Sequence, residues 1–159
     1  RRGASAALVE AIRAASPEAD SYAPWQQRHL ELQRRMEQLV TPLRDHVRQA
    51  VGQASPRLRQ LATLDAAMEQ VLARREQALL PGVAELLERG FEQLRAGQAV
   101  ADAPEPDDEP RWRQPGAWLD TFAKEWRQAL LAELDLRLEP VAGLVDALES
   151  AAPERKHQQ

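Results

Sequence analysis

The sequence predicts an all-α protein: an elongated bundle of three long, proline-kinked antiparallel helices, preceded by a short N-terminal helix. Apolar residues recur in steps of three and four along most of the chain, which is the spacing of one helix face. Alanine is abundant and the 159 residues include only 7 glycines, a composition that suits helices better than sheets. No segment offers a partner for an isolated strand.

The first two helices follow from this spacing. Residues 5–15 are predicted to form the short helix, with Leu8 and Ile12 on one face. Ser21 is a candidate N-cap for the first long helix, which Gly52 ends. Its apolar stripe consists of Tyr22, Trp25, His29, Leu32, Met36, Leu39, Leu43 and Val47.

The second long helix is predicted to open at Ser55-Pro56, as N-cap and first turn. Its pattern resumes past Pro81-Gly82 and ends near Gly97. We interpret its stripe as a packing seam of the bundle. The stripe consists of Leu58, Leu61, Leu64 or Asp65, Met68, Val71 or Leu72, Leu79, Val83, Leu86, Leu87, Phe91 and Leu94.

The domain organisation follows from a change in composition. Residues 1–97 hold the N-terminal helix and the first two long helices. Residues 98–114 form an acidic, proline-rich linker that has almost nothing to bury, so we expect it to be disordered. Residues 115–150 are expected to form a third long helix that completes the same bundle, and residues 151–159 a flexible tail.

The stretch "LLAELDLRLEPVAGLVDAL", residues 130–148, alternates locally like a strand. As a strand it would gather Glu133, Asp135 and Glu139 into an acidic site. The three-and-four stripe of the last helix passes through it without a change of period, so we predict a helix with these carboxylates on a solvated face. Pro42, Pro81 and Pro140 interrupt the three long stripes and are expected to kink or divide their helices.

The residue types needed for most chemistry are missing or scattered. There is no cysteine, and none of the three histidines, His29, His46 and His157, pairs with another at metal-ligand spacing. His29 is expected to be a partly buried, satisfied core residue. We therefore predict no catalytic residue, no metal, no cofactor and no small-molecule substrate. The net charge is −4, and no apolar run is long enough to cross a membrane, so a cytoplasmic location without membrane insertion is expected.

Two surfaces are candidates for binding. A partner face, for another protein or a second copy of the chain, is predicted from Trp112, Leu131, Leu136 and Leu144, which lie off the main stripes. A nucleic-acid strip is predicted from the arginines of the first long helix: Arg28, Arg34, Arg35, Arg44 and Arg48.

Two blocks, "YAPWQQRHLELQRRMEQLVTPLRDHVRQAV" and "LLAELDLRLEPVAGLVDAL", flank "LDAAMEQVLARREQALLPGVAELLERGFEQL". Together they resemble an uncharacterised proteobacterial domain-of-unknown-function family over most of residues 20–150. The resemblance implies operons that also encode MotA/TolQ/ExbB-type and OmpA-like membrane proteins, as in Zorya-type anti-phage defence. It also implies an N-terminal segment before Arg1, and it carries no catalytic residues.

Two functions are therefore expected. The first is a non-catalytic helical interaction protein, an accessory component of a defence system with a membrane motor. The alternative is a nucleic-acid-binding module that uses the arginine strip.

Overall fold

A computed structural model describes residues 2–101 and 117–156 of the protein. These residues form four helices: α1 (Arg2–Ala14), α2 (Tyr22–Ala54), α3 (Pro56–Ala101) and α4 (Ala117–Lys156). The described part of the chain contains no strand, so the predicted all-α fold is confirmed. The stretch at residues 130–148 is helical throughout.

The helix ends refine the predicted boundaries. α3 continues to Ala101, into the segment 98–114 that was expected to be a linker, and the rest of that segment lies outside the described residues. α4 continues to Lys156, so residues 151–156 of the expected tail are helical. Pro42, Pro81 and Pro140 lie inside α2, α3 and α4, and none of them divides its helix.

The three long helices pack with α3 antiparallel to both α2 and α4. At one end, Trp25 of α2 lies beside Trp126 of α4, and Tyr22 lies beside Phe91 near the end of α3. At the other end, the same three helices meet around Val51. The chain therefore runs along α2, back along α3 and forward again along α4.

An aromatic cluster forms the main core at the first end, where all four helices meet. Its rings belong to Tyr22, Trp25, Phe91, Trp118, Phe122 and Trp126. Phe122 lies with its centroid 5.0 Å from those of Trp25 and Phe91, and Trp126 lies 5.2 Å from Trp25, all edge to face. Such pairs are worth about 0.5–1.5 kcal/mol beyond the area they bury. Trp25, Trp118 and Trp126 therefore anchor the core.

The short helix α1 is tied to this cluster by two hydrogen bonds to the segment that follows it. The indole nitrogen of Trp25 donates to the Ala19 carbonyl at 2.8 Å, and Arg127 Nε of α4 donates to the Ala15 carbonyl at 2.9 Å. Leu8 and Ile12 of α1 are buried in the core, as their spacing predicts. The connection between α1 and α2 is thus fixed against α4.

A smaller apolar cluster closes the opposite end of the bundle. It contains Val51 of α2, Leu58 and Ala62 of α3, and Leu144 of α4. Ser55 caps α3 as predicted, because its Oγ accepts a hydrogen bond from the Leu58 amide at 3.2 Å. α2 and α3 approach closely here: a Cβ added at Gly52 would lie 3.7 Å from the Ala62 side chain.

Replacing Phe122 with alanine should lower the free energy of unfolding by about 3–5 kcal/mol, because it leaves a cavity among three aromatic neighbours. Leu136→Ala, on the same helix, is the matched control. Leu136 is 65% exposed, so its replacement should cost less than about 0.5 kcal/mol. Urea unfolding measures both values, and similar costs would contradict this placement of the core.

Candidate functional site

The middle of α3 packs differently from its ends. Ala62 is buried in the smaller cluster and Phe91 in the main core, yet no side chain from residue 63 to residue 90 is buried. α2 and α4, by contrast, bury Leu32, Met36, Leu130 and Leu134 along the same part of the bundle. Apart from Leu87, which packs partly buried against the main core, α3 is therefore held on its inner side over this length by something other than an apolar core.

The positions of α3 that share a helix face with Ala62 and Phe91 are mostly polar or small in this middle part. By helical spacing they include Glu69, Ala73 and Glu76, with Asp65 at the edge of the face. Leu80 and Leu87 share this inward face, whereas five large apolar side chains of the same segment occupy the other side of the helix: Leu64, Met68, Val71, Leu79 and Leu86. The prediction that they form a packing seam within the bundle is therefore wrong for these five residues. It holds for Leu87, which packs against the main core, and Asp65, the alternative to Leu64, is the one that faces inward.

A network of ion pairs joins the inner side of α3 to α2. Arg44 makes a two-pronged contact with Asp65, with Nε 3.0 Å from Oδ2 and Nη2 2.8 Å from Oδ1. Arg48 bonds to Asp65 Oδ2 at 2.8 Å and to Glu69 Oε2 at 2.5 Å, and it also pairs with Asp45. The side chains of Arg44, Arg48 and Asp65 are all less than about one-fifth exposed, so water screens these charges weakly.

The same network shifts the pKa of Asp65. Burial alone would raise the pKa of this carboxyl, but the hydrogen bonds and the charges of Arg44 and Arg48 outweigh burial and hold the pKa below its ordinary value. Asp65 therefore stays ionised, and the ion pairs fix the register between α2 and α3.

The outward side of α3 carries a row of exposed apolar side chains, here called the outer stripe: Leu64, Met68, Val71, Leu79 and Leu86. At 3.6 residues per turn they fall within roughly 80° of one another and lie about 120–180° around the helix from Phe91. Each is between 51% and 67% exposed. Monomeric proteins expose single apolar residues freely, but a continuous row of this kind is typical of an interaction surface.

Further exposed apolar side chains widen this surface on both flanks of α3. A cavity of about 290 Å³ opens between α2 and α3, beside Leu30, Leu80 and Val83. A second cavity, of about 280 Å³, opens beside Leu72 of α3 and Leu136 of α4. These five residues are all at least 38% exposed, so apolar surface extends from the outer stripe to the neighbouring helices.

His29 and Glu133 form a second polar contact, between α2 and α4. Glu133 accepts hydrogen bonds from Gln33 Nε2 at 3.0 and 3.1 Å and from Arg137 at 3.1 Å, and it lies 3.8 Å from His29 Nε2. Glu133 is thus not on the solvated face where it was expected, because α4 turns it towards α2. Asp135 and Glu139 are exposed.

His29 is only 9% exposed, and its Nδ1 has no hydrogen-bond partner among the described residues. Burial lowers the pKa of His29 below its ordinary value, and the opposing effect of the Glu133 carboxylate is smaller. The imidazole is therefore neutral in the folded protein. The expected core position is confirmed, whereas the expected satisfaction of both nitrogens is not.

The structure separates the four residues of the predicted partner face. Leu144 is buried in the smaller cluster, Leu131 packs against the main core, and Leu136 is exposed. Trp112 lies outside the described residues. Leu131 and Leu144 are covered by the chain itself, because α4 faces α2 on one side and α3 on the other.

The five arginines of the predicted nucleic-acid strip are likewise divided. Arg44 and Arg48 are engaged by Asp65 and Glu69, and Arg28 pairs with Glu31 at 2.9 Å. Arg34 and Arg35 are exposed and form no ion pair within the part of the chain that the structure describes. Three of the five positive charges are thus already neutralised by the chain.

Periodicity alone could not locate the outer stripe. Residues 64–86 fit a packing seam as well as an outward row. The pairing of Asp65 with Arg44, together with the burial of Ala62 and Phe91, decides which side of α3 faces inward. The charges in the sequence could have indicated the inward side. Asp65, Glu69 and Glu76 share one side of α3, and Arg44 and Arg48 lie at the same level of the antiparallel helix α2.

Among the described residues there is no group of three or more histidine, aspartate or glutamate side chains that could hold a metal ion. None of the described helices combines the length and the apolar character needed to cross a membrane.

The described fold and surface define an all-α bundle protein with an uncovered apolar helix face. The chain belongs to DUF3348, a family of proteins of unknown function, whose family model matches residues 1–150. No curated protein and no solved structure matches the chain.

Replacing Asp65 with asparagine should lower the free energy of unfolding by about 2 kcal/mol, because two weakly exposed arginines then lose a shared carboxylate. Asp45→Asn is the matched control: it removes the 53% exposed partner of the same Arg48 and should cost less than about 0.5 kcal/mol. Urea unfolding at pH 7 compares the two. Because the pKa of Asp65 is lowered in the folded state, its stabilisation should be lost as the pH falls below about 4.

Neutral His29 makes the stability of the protein depend on pH in a second range, above the one in which Asp65 titrates. Between the ordinary pKa of histidine, near 6.5, and the lower folded-state pKa, the unfolded chain binds more protons than the folded one. The free energy of unfolding should therefore fall as the pH falls below about 7. His29→Gln should flatten this slope, whereas His46→Gln, at an exposed position of α2, should leave it intact. An unchanged slope in His29→Gln would contradict a buried neutral imidazole.

Proposed function

We propose that this protein is a non-catalytic helical interaction protein that acts through the outer stripe of α3. The observation that carries the proposal is the inverted packing of α3 between residues 63 and 90. Acidic side chains point inward to arginines, while Leu64, Met68, Val71, Leu79 and Leu86 face outward. This arrangement leaves the largest side chains of the segment available to another protein.

The character of the surface suggests how it would bind. The outer stripe runs along about 33 Å of helix if it covers residues 64–86 at 1.5 Å per residue. Its apolar residues recur at the spacing by which one amphipathic helix packs along another. We therefore expect the binding partner to present a helix of its own, with an apolar row and a carboxylate near Arg75, which lies in the middle of the stripe and is exposed.

The resemblance described above supplies the cellular setting of the proposal. It implies an operon with MotA/TolQ/ExbB-type and OmpA-like proteins, so we propose that the protein is a cytoplasmic accessory component of an anti-phage system with a membrane motor. This setting is supported by the resemblance alone, whereas the proposed use of the stripe is supported by its geometry.

Nucleic-acid binding receives no comparable support. Arg44 and Arg48 of the predicted strip pair with Asp65 and Glu69 of the same chain. Arg34 and Arg35 alone make a small positive surface on a chain of net charge −4.

A photo-crosslinking amino acid placed at Val71 or Leu79 tests the proposed function in cells that carry the natural operon. Irradiation should produce discrete adducts with a protein from both positions, because both are on the outer stripe. The same probe at Gln70, an exposed position of α3 off the stripe, is the matched control and should give none.

Absent adducts at Val71 and Leu79, or equal adducts from Gln70, would show that the stripe is not a binding surface. The mass of the adduct also tests the proposed cellular setting. An adduct with another component of the motor system would support that setting. Adducts only with proteins encoded elsewhere would contradict the setting but would still support the proposed binding role of the stripe.

A further inference from the structure

We infer that the outer stripe binds an acidic amphipathic helix of another protein, whose carboxylates pair with Arg57 and Arg75 while its apolar row packs on the stripe. The inference rests on the proposed function and names the chemistry of the partner for the same surface. Three features of the described residues carry it: arginines without a counter-charge, carboxylates that lie on the inner side of α3, and a groove beside one of the arginines.

Three arginines of α3, Arg57, Arg74 and Arg75, lack the carboxylates that accompany the other arginines. All three are exposed, and they form no ion pair or hydrogen bond with any residue that the structure describes. None of them has an aspartate or glutamate three or four residues away on the helix. Every other arginine whose side chain the structure describes has such a neighbour or bonds to an oxygen elsewhere in the chain. The unmatched positive charges are therefore concentrated on α3.

Two of these arginines lie on the side of α3 that the outer stripe occupies. Arg75 is four residues from Val71 and four from Leu79, so it lies between them in the row. Arg57 precedes Arg75 by 18 residues, which is five full helical turns and about 27 Å. Arg57 also lines one groove together with Leu64, a member of the stripe. The apolar row therefore carries a positive charge at two points along its length.

The carboxylates of this part of α3 do not offset these charges. Between residues 57 and 84 they are Asp65, Glu69 and Glu76. Asp65 and Glu69 bond to the arginines of α2, and Glu76 lines the cavity beside Leu136 of α4. The chain has a net charge of −4, yet its surface along this part of the stripe carries only positive charges. A second copy of the stripe would bring more positive charge to this surface, whereas an acidic helix would neutralise it.

A groove of about 800 Å³ between α3 and α4 borders the stripe at its Arg57 end. Leu61 and Leu64 line it from α3, and the small side chains of Ala147 and Ala151 line it from α4. A large apolar side chain of a partner helix can occupy this groove, because neither alanine fills the space opposite the leucines. A carboxylate one turn away on the same partner helix then meets Arg57 and can accept two hydrogen bonds from its guanidinium.

An acidic helix fits this surface better than a membrane or a nucleic acid does. Because Arg75 lies in the middle of the row, burying Val71 and Leu79 in lipid would draw its guanidinium towards the hydrocarbon, where a charge is costly. A nucleic acid would pair with the arginines but would leave the large apolar side chains of the stripe against its phosphates, and the stripe has no aromatic ring on which a base could stack. A partner helix with carboxylates satisfies both the apolar row and its charges.

Charge reversal combined with photo-crosslinking tests the inference in cells that carry the natural operon. The crosslinking amino acid is placed at Leu79, with and without the double change Arg57→Glu and Arg75→Glu. The adduct yield should fall by about 10-fold or more in the double variant, because both charge pairs become repulsive. Arg34→Glu and Arg35→Glu, which make the same charge change at exposed positions of α2, form the matched control and should leave the yield unchanged. Retained helicity and urea unfolding of both purified variants are the folding check.

Mass spectrometry of the adduct identifies the segment that lies on the stripe. That segment should carry apolar residues at helical spacing and carboxylates about 18 positions apart on the same face. A synthetic peptide of the segment with those carboxylates replaced by lysine should bind the purified double variant more tightly than the wild-type chain.

Adducts that survive the charge reversal, or that join the stripe to a lipid, a nucleic acid or a protein segment without such carboxylates, would overturn the inference. Adducts with a protein, whatever its charge, would still support the proposed function. The absence of any adduct from Val71 and Leu79 would contradict both.

Discussion

One constraint governs this molecule: α3 carries apolar side chains on two sides, and the bundle covers only one of them. Its inner side meets α2 and α4, and in the middle it does so through Asp65 and Glu69 bonded to Arg44 and Arg48. These ion pairs and the burial of Ala62 and Phe91 fix which side of α3 faces inward, so Val71, Leu79 and the rest of the outer stripe face outward. Turning α3 to bury those residues would leave Arg44 without a carboxylate and Arg48 with only the exposed Asp45, which is a costly alternative.

The two ends of the bundle explain why this arrangement persists. The aromatic cluster around Phe122 and Trp126 holds α1, α2, α4 and the last part of α3, while Val51, Leu58 and Leu144 hold the other end. α3 is therefore anchored at both ends and only lightly packed between them. A segment with few buried contacts and a continuous exposed apolar row is suited to a role that is completed by association.

Much of the fold follows from sequence periodicity. The stripes of α2 and α4, the Ser55 cap and the tryptophan anchors could be predicted, because each depends on local spacing or on size and apolarity. The binding surface could not be located in the same way. Helical spacing gives two apolar sides to α3 and does not say which faces inward, since that depends on the pairing of Asp65 with Arg44 across 21 residues of sequence. Likewise, Leu144 is apolar and off the main stripe of its helix, yet the register of the bundle buries it.

Hydrogen exchange along α3 tests most directly whether its middle is packed on one side only. Amides around Val71 and Leu79 should exchange faster than the amides of α2 around Leu32 and Met36, which lie along the same part of the bundle and are buried. Amides around Phe91, in the main core, should be protected like those of α2 and serve as the internal reference. Equal protection of the middle of α3 and of the facing part of α2 would contradict the account.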